Sequence, residues 1–224
     1  MHAAVFIPEA AVAASLVSLG FSLPGNAVAG IRTYLELLMK WNKAMNLVGA
    51  PTWQTALEDL VLDSLHLSAF LSVLNIPEHP ECWDIGAGAG IPGIPLRLVW
   101  QNGAYTMIEV REKRVLFMRT ALATLRLPRT SVFGGRAETF FEKAGAADVI
   151  LSRAFMPWEK MLSFVERHVA ASGRVIFLTL AAPPECVPSG WQVERDYAYK
   201  SGKKQRRFWC FIRCCEGYDG LVTD

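Results

Sequence analysis

The chain has 224 residues, of which 52% are hydrophobic and 20% are charged, and its formal net charge at pH 7 is +2. This composition supplies enough apolar surface for a sizeable core and excludes an intrinsically disordered chain. Because the net charge is so small, a nucleic-acid partner cannot be inferred from the total, and any basic surface has to be local.

The five cysteines include no Cys-x-x-Cys pair and are odd in number. This pattern favours reduced cytosolic thiols over a disulfide framework or a zinc site. An apolar run at 10–19 is too short to span a membrane and lacks the positive residues of a signal peptide. We therefore expect a cytoplasmic protein with no metal site and no membrane partner.

Apolar residues at helical spacing predict three helices in the first part of the chain, at 8–19, 29–45 and 53–74. A proline-rich joint at 75–80 follows them, and we place the domain boundary there. The prediction is an N-terminal helical segment over residues 1–75, packed on a second domain over residues 76–224. Asn42 is polar beside the apolar stripe of the second helix, which marks it as a candidate for a specific role.

Strand and helix patterns alternate in the rest of the chain. Strands are predicted at 83–85, 105–110, 131–133, 148–151 and 174–180, and helices at 92–100, 112–125 and 157–168. Two more strands, at 191–199 and 206–213, flank Ser201, Gly202 and Lys203, which are typical of a hairpin turn. The alternation predicts an α/β fold with a mostly parallel sheet covered on both faces and an antiparallel C-terminal hairpin.

The segment after the first predicted strand has the features of a cofactor loop. Asp84 lies near the end of the strand, and glycines recur at every second position from Gly86 to Gly90. The spacing of Gly88, Gly90 and Gly93 satisfies the dinucleotide fingerprint, so a nicotinamide cofactor is one candidate. Asp84 favours the other candidate, S-adenosylmethionine, because a carboxylate repels a pyrophosphate but attracts an ammonium and a sulfonium. A structural aspartate that caps a turn is the alternative.

Two further acidic residues follow the second and third predicted strands. Glu109 lies about 20 residues after the loop, a distance at which a carboxylate accepts hydrogen bonds from ribose hydroxyls. A surface pair with Arg111 or Lys113 is its alternative. In the stretch 135–138, a backbone N–H and the carboxylate of Glu138 could contact an adenine edge, and an ordinary helix start is the alternative.

With these motifs in register, the chain resembles the bacterial small-subunit ribosomal RNA guanine-N7 methyltransferases of the RsmG/GidB type. The resemblance extends from about residue 30 to residue 213. The matching segments are WNKAMNL at 41–47, LDSL at 62–65, DIGAGAGIPGIPL at 84–96, KR at 113–114, GRAE at 135–138, SRAF at 152–155 and the basic final strand.

The resemblance implies a class I S-adenosylmethionine-dependent methyltransferase fold, Rossmann-like with seven strands, preceded by N-terminal helices. It implies S-adenosylmethionine as the cofactor and a guanine of 16S rRNA, free or in a small-subunit assembly, as the substrate. It implies cofactor contacts at Gly86, Ile91, Ala137, Glu138 and Arg153. The residues themselves add Asp84, Gly88, Gly90 and Glu109 to this cofactor set.

Two places depart from the family pattern. The family usually has Arg-His shortly before the LDSL segment, where this chain has Asp59 and Leu60. The family usually ends the fifth strand with Lys-Gly, where this chain has the run LTLAAPP at 178–184. Both departures concern how RNA is held more than how the cofactor is held.

Methylation at guanine N7 removes no proton, because N7 already carries a free lone pair. The enzyme therefore needs accurate positioning rather than a general base. The four scattered histidines agree with this expectation. Arg153 and Phe155 are predicted to face the active site from the end of the fourth strand. We expect Arg153 to hold the cofactor carboxylate or an RNA phosphate, and Phe155 to stack on the target base or, alternatively, to pack in the core.

Basic residues near the C-terminus predict a local RNA-binding surface. They occur without an acidic residue among them and are interleaved with aromatic residues. The set is Lys200, Lys203, Lys204, Arg206, Arg207 and Arg213, and Lys113, Arg114 and Arg119 extend it. The alternative is an exposed edge hairpin whose charges prevent aggregation.

Four other functions stay open beside the leading hypothesis of an rRNA methyltransferase. A nicotinamide oxidoreductase is opposed by Asp84. A non-catalytic RNA-binding or assembly protein is opposed by the intact glycine loop, and a small-molecule methyltransferase by the basic hairpin. A methyltransferase of another RNA is the fourth. We expect the protein to be a monomer.

Overall fold

The computed structural model describes residues 5–201 and 204–214. The helices are α1 (Glu9–Ser18), α2 (Gly25–Met45), α3 (Trp53–Ala56), α4 (Leu62–Leu71), α5 (Gly93–Val99), α6 (Glu112–Leu125), α7 (Ala137–Phe141) and α8 (Trp158–Val165). The strands are β1 (Glu81–Ile85), β2 (Ala104–Glu109), β3 (Thr130–Gly134), β4 (Ala147–Ser152), β5 (Val169–Thr179), β6 (Trp191–Ser201) and β7 (Lys204–Arg213). A π-helical turn, Leu57–Val61, joins α3 to α4, and a 3₁₀ turn, Glu166–His168, follows α8.

The seven strands form one sheet in the order β3-β2-β1-β4-β5-β7-β6. The first five strands of that order are parallel, and β7 runs antiparallel to both of its neighbours. The predicted mostly parallel sheet with an antiparallel C-terminal hairpin is confirmed. The chain order reverses between β1 and β4, which is the place where open α/β sheets bind their ligands.

The fifth strand is the main difference from the predicted elements. It begins at Val169, five residues before the predicted start at 174, because Gly173 continues the strand instead of ending it. A Cβ at Gly173 would lie 2.8 Å from the carbonyl oxygen of Ala147, so only glycine fits where the β4–β5 register shifts. The short helix α7 corresponds to the helix start that was the alternative for the stretch 135–138.

Alternating side chains of the strands divide the core into two clusters. Cys82 and Met107 point to the face covered by the N-terminal helices and by α5 and α6. Trp83, Ile85 and Ile108 point to the opposite face, where they pack with residues of α7 and α8. The N-terminal helices thus share one apolar cluster with the sheet, and a domain boundary near residue 76 stays a prediction.

The N-terminal helices also hold the glycine loop, through hydrogen bonds to its backbone carbonyls. The hydroxyl of Tyr34 in α2 donates to the carbonyl of Ala89 at 2.8 Å, and that of Ser64 in α4 donates to the carbonyl of Pro92 at 2.9 Å. Both donors are buried, so these hydrogen bonds are shielded from water. The loop is therefore fixed by residues that come before it in the chain.

Asn42 has a structural explanation. Its side-chain oxygen accepts from the N–H of Val48 at 2.9 Å, and its amide donates to the carbonyl of Ala50 at 3.3 Å. These bonds close the connection after α2, whose C-terminal cap, Asn46, has the left-handed conformation.

No helix in residues 5–201 and 204–214 is long and apolar enough to cross a membrane. Within the same described part of the chain, no group of three or more His, Cys, Asp or Glu side chains is arranged to hold a metal ion.

Candidate functional site

Two cavities open side by side at the carboxyl ends of the parallel strands. The glycine-loop cavity, about 430 Å³, lies between the ends of β1, β2 and β3. The hairpin cavity, about 710 Å³, lies between the end of β4, the end of β5 and the β6–β7 hairpin. Ala154 and Met156 line both cavities, so the segment after β4 is their shared wall.

The loop after β1 has a backbone that requires glycine. Gly86, Gly88 and Gly90 have φ values of +78°, +62° and +72°. A Cβ on Gly86 would lie 2.6 Å from the ring of Phe155, and one on Gly90 would lie 2.5 Å from Ile94. The missing side chains therefore allow both the left-handed turns and the close packing around the loop.

Glu109 connects this loop to the end of β2. Its carboxylate accepts from the backbone N–H of Gly88 at 3.0 Å and from that of Arg111 at 2.9 Å. The guanidinium of Arg114 lies 3.6 Å from the same carboxylate, and Glu109 is only 6% exposed. Glu109 is thus a buried residue of the cavity wall, not the surface partner of Arg111 or Lys113 that was its alternative.

The predicted stretch after β3 lies in the same cavity. Gly135, Arg136, Ala137 and Glu138 all line it, as Gly86 and Phe155 do. The carboxylate of Glu138 accepts from Arg136 at 3.2 Å. Its own backbone N–H and Arg136 hold the pKa of Glu138 below its usual 4.5, so it carries a negative charge at the mouth of the cavity.

Asp84 lies beneath the loop and lines neither of the two cavities. It is 1% exposed, and its carboxylate accepts from the hydroxyl of Tyr105 at 3.2 Å. Burial raises the pKa of Asp84 to about 7, against the opposing effects of Tyr105, the Gly93 backbone and Arg153. An effect of Asp84 on a ligand has to act through its charge, because direct contact is blocked.

Three other loop residues that were predicted to bind the cofactor are not part of the cavity walls. Gly88, Gly90 and Ile91 line neither cavity, and Ile91 is 6% exposed. Gly88 acts through its N–H bond to Glu109. Of the predicted cofactor set, the structure brings Gly86, Glu109, Ala137 and Glu138 together around the glycine-loop cavity.

Arg153 and Phe155 point to different cavities. Arg153 lines the hairpin cavity, where its guanidinium lies 3.3 Å from the carboxylate of Asp63. Phe155 lines the glycine-loop cavity and packs against Gly86 while remaining 41% exposed, so it is not a core residue. Between them, Ala154 has a φ of +53°, an uncommon value for a residue with a side chain.

A buried charge cluster on the hairpin cavity was not predicted from the sequence. Asp63 in α4 accepts from the hydroxyl of Tyr199 at 2.5 Å and from Arg206 at 2.9 and 3.1 Å. Asp59, in the π-helical turn, accepts from the other side of the Arg206 guanidinium at 3.1 Å. Burial raises the pKa of Asp63 above its usual 3.8, while Arg153, Tyr199 and Arg206 act to lower it. The LDSL segment drew attention to Asp63, but no sequence signal indicated its partners.

The predicted basic surface divides into exposed and buried residues. Lys113, Lys200 and Lys204 are exposed, with Lys204 3.8 Å from Asp59. Arg206 differs from the expected surface contact: it is 8% exposed, because Asp59 and Asp63 enclose its guanidinium. Arg119 and Arg213 are exposed as well, and Arg213 donates to the carbonyl of Glu166 at 2.9 Å. The other two described residues are paired or recessed, as Arg207 binds Asp196 and Arg114 lies at Glu109. Lys203 lies outside the described residues.

A comparison with protein-family models matches residues 28–186 to the family described as rRNA small subunit methyltransferase G. Curated proteins that carry this name are similar over most of their length. The one from Nitratidesulfovibrio vulgaris is 53% identical over 190 residues, which is 85% of this chain and 87% of that protein. The one from Lawsonia intracellularis is 44% identical over 204 residues, which is 90% of this chain and 94% of that protein.

Solved structures with the same fold are more distant in sequence. A variant of MtNAS in complex with S-adenosylmethionine superposes with a TM-score of 0.57 at 19% identity, covering 92% of this chain and 77% of that one. The putative methyltransferase YhhF from Escherichia coli superposes with a TM-score of 0.52 at 18% identity, covering 67% of this chain and 85% of that one. At this identity the likeness concerns the fold alone.

Proposed function

Because the chain belongs to the rRNA small subunit methyltransferase G family, we propose that it transfers a methyl group from S-adenosylmethionine to N7 of a guanine in 16S rRNA. The observation that supports this most directly is the pair of cavities with a common wall at Ala154 and Met156. A transfer between two bound molecules needs two adjoining sites, and these lie at the carboxyl ends of the strands, where the fold binds ligands.

The residues of the glycine-loop cavity fit S-adenosylmethionine. The loop backbone is free of side chains at Gly86, and Glu109 supplies a carboxylate within the cavity wall. We assign the ribose to Glu109 and the adenine to the edge formed by Ala137 and Glu138. When bound, the cofactor supplies an electrophilic methyl group on a sulfonium. The negative charges near this cavity favour such a cation.

The hairpin cavity has the chemistry of an RNA-base site. Trp158, Phe177 and Trp209 line it and provide aromatic faces on which a base can stack. Arg207 and Lys204 line it as well and can contact phosphates. We assign the target base to this cavity, with Lys113 and Lys200 as further phosphate contacts.

Guanine N7 carries its own lone pair, so the residues around it would have to align it with the sulfonium methyl group of a bound cofactor and need not take a proton. The electron pair of the broken sulfur–methyl bond would stay on sulfur, and S-adenosylhomocysteine would be the leaving group. Arg153 lies on the wall between the two sites, where it can hold the carboxylate of the cofactor or an RNA phosphate. We propose that Phe155, which packs on Gly86, contacts the cofactor side of the wall. This differs from the expected stacking on the target base, because Phe155 faces the glycine-loop cavity.

A tritiated-methyl transfer assay tests the function. The full-length protein is given naked 16S rRNA, assembled small subunits and total tRNA, and the labelled product is mapped for N7-methylguanine. We expect label in 16S rRNA or the small subunit and none in tRNA. Label confined to tRNA would support the alternative of another RNA substrate, and cofactor binding without transfer to any RNA would overturn the enzymatic assignment.

Two glutamates provide matched variants for the same assay. Glu109→Gln should weaken S-adenosylmethionine binding by roughly ten- to a hundredfold, since it removes a charged acceptor from the cavity wall. Glu112→Gln is the control, because Glu112 is exposed in the first turn of α6 and lines a different surface. Equal affinity of the two variants would contradict the ribose assignment. Cytoplasmic location and a monomeric state stay predictions.

A further inference from the structure

Asp63 is the one residue of the N-terminal helices that lines the hairpin cavity in the described part of the chain. It is 2% exposed, and its carboxylate contacts three cavity residues that come from three different elements. These are Arg153 after β4, Tyr199 in β6 and Arg206 in β7. A single carboxylate therefore fixes the relative positions of the shared wall and the hairpin.

The three contacts of Asp63 differ in what they connect. Arg206 is bound on both sides, by Asp63 and by Asp59, and together with Tyr199 it ties α4 to the hairpin. The ring of His66 in α4, stacked on Tyr199, joins the same two elements. The contact with Arg153 adds nothing to that connection, because Arg153 belongs to the wall between the cavities. It is the longest of the three at 3.3 Å, and the Arg153 side chain is still 25% exposed. The guanidinium is thus oriented by Asp63 and still open to a ligand.

The wall segment needs such support. It follows β4 without regular secondary structure, and Ala154 within it has a φ of +53°. A residue whose backbone is in a sparsely populated conformation keeps it only when the surrounding structure fixes it. Asp63 holds the first residue of this segment, and the packing of Phe155 on Gly86 holds the third.

We propose that Asp63 is a positioning residue for methyl transfer, which acts by holding the Arg153 guanidinium at the boundary between the cofactor and the target base. This inference depends on the proposed function. Asp63 itself accepts no proton and contacts no reacting atom. Its effect on the reaction passes through Arg153, so removing Arg153 should remove the effect.

A double-mutant cycle tests this route. Asp63→Asn should lower kcat on the order of tenfold in the wild-type background and change it less than twofold in the Arg153→Ala background. The thermal stability loss of Asp63→Asn should be the same in both backgrounds, because it arises from Arg206 and Tyr199. A merely structural Asp63 would instead give the same fold-change in kcat in both backgrounds, and that result would overturn the proposal.

Asp59→Asn is the matched control, since Asp59 pairs with Arg206 and Lys204 but does not contact Arg153. Its effect on kcat should be equal with and without Arg153. Coupling of the same size at Asp59 would assign the effect to the whole charge cluster and overturn the assignment to Asp63. If Asp63→Asn does not fold, Asp63→Glu replaces it, because it keeps the charge and displaces it by one methylene.

The outcome is separable from that of the proposed function. If the wild-type protein methylates no RNA, the proposed function fails before any variant is compared. If the wild type is active and the cycle shows no coupling between Asp63 and Arg153, the proposed function stands and this inference fails.

Discussion

The two cavities differ in the sequence separation between the residues that form their polar contacts. In the glycine-loop cavity, Glu109 binds the N–H of Gly88, 21 residues away, and that of Arg111, two residues away. In the hairpin cavity, Asp63 binds Tyr199 and Arg206, 136 and 143 residues away. The first cavity is formed within consecutive strand–helix units, and both hydrogen-bond donors to Glu109 are backbone N–H groups. The second forms only when the N-terminal helices, the end of β4 and the hairpin are all in place.

Arg206 provides the strongest test of this difference, because it joins the hairpin to two carboxylates. Arg206→Ala leaves Asp63 and Asp59 without their main cation, and breaking a buried ion pair from one side costs about 3–5 kcal/mol. We expect a loss of this size in the free energy of unfolding, measured by urea denaturation.

Arg207→Ala is the control for Arg206→Ala. Arg207 is the next residue of β7, but its pair with Asp196 is on a more exposed face, with side chains 22% and 26% exposed. Exposed ion pairs contribute about 0–1 kcal/mol, so this variant should be close to the wild type in stability. A similar loss in the free energy of unfolding for both variants would mean that burial does not make the ion pairs of Arg206 more important for stability than the exposed pair of Arg207.

The same difference explains what could be predicted from the sequence. The fold, the glycine loop and Glu109 follow from local patterns: alternating elements, glycines at every second position and an acid at a strand end. The burial of Arg206 could not be predicted, because a run of basic residues has the same pattern whether its partners are water or two distant aspartates. Asp84 was placed correctly at the end of β1, but strand alternation directs it toward Tyr105 beneath the loop.

Asp84 gives a prediction about the core under the glycine loop. Its pKa is raised from 3.8 to about 7, so the folded state binds a proton more tightly than the unfolded state between these values. The contribution of Asp84 to stability is therefore fully present below pH 4 and declines as the pH rises to about 7, by on the order of 2–4 kcal/mol. Asp84→Asn should lack this decline when urea denaturation is compared at pH 4.5, 6 and 8.

Tyr105→Phe sharpens the test at Asp84. The Tyr105 hydroxyl donates to the carboxylate and lowers its pKa, so its removal should extend the decline in stability to higher pH. An identical pH profile in the wild type and in Asp84→Asn would show that Asp84 is ionised throughout and that the buried site tolerates the charge.

The smallest expected effect concerns the contact between the loop and the wall that the two cavities share. Gly86→Ala and Gly88→Ala both place a Cβ on a residue with positive φ, which costs about 1–2 kcal/mol. At Gly88 the new Cβ would make only ordinary contacts, with Arg114 at 3.5 Å and the carbonyl oxygen of Gly86 at 3.9 Å, whereas at Gly86 it would lie 2.6 Å from Phe155.

Gly86→Ala should therefore destabilise the protein more than Gly88→Ala. Phe155→Ala should remove this additional loss at Gly86, which comes from the contact with the ring, but not the backbone cost that both alanine variants share. We expect a coupling of about 0.5–1.5 kcal/mol between Gly86 and Phe155 in a double-mutant cycle and less than about 0.5 kcal/mol between Gly88 and Phe155, measured by urea denaturation. Equal coupling at the two glycines would mean that Phe155 leaves the loop readily, and the wall would then depend on Asp63 and Arg153 alone.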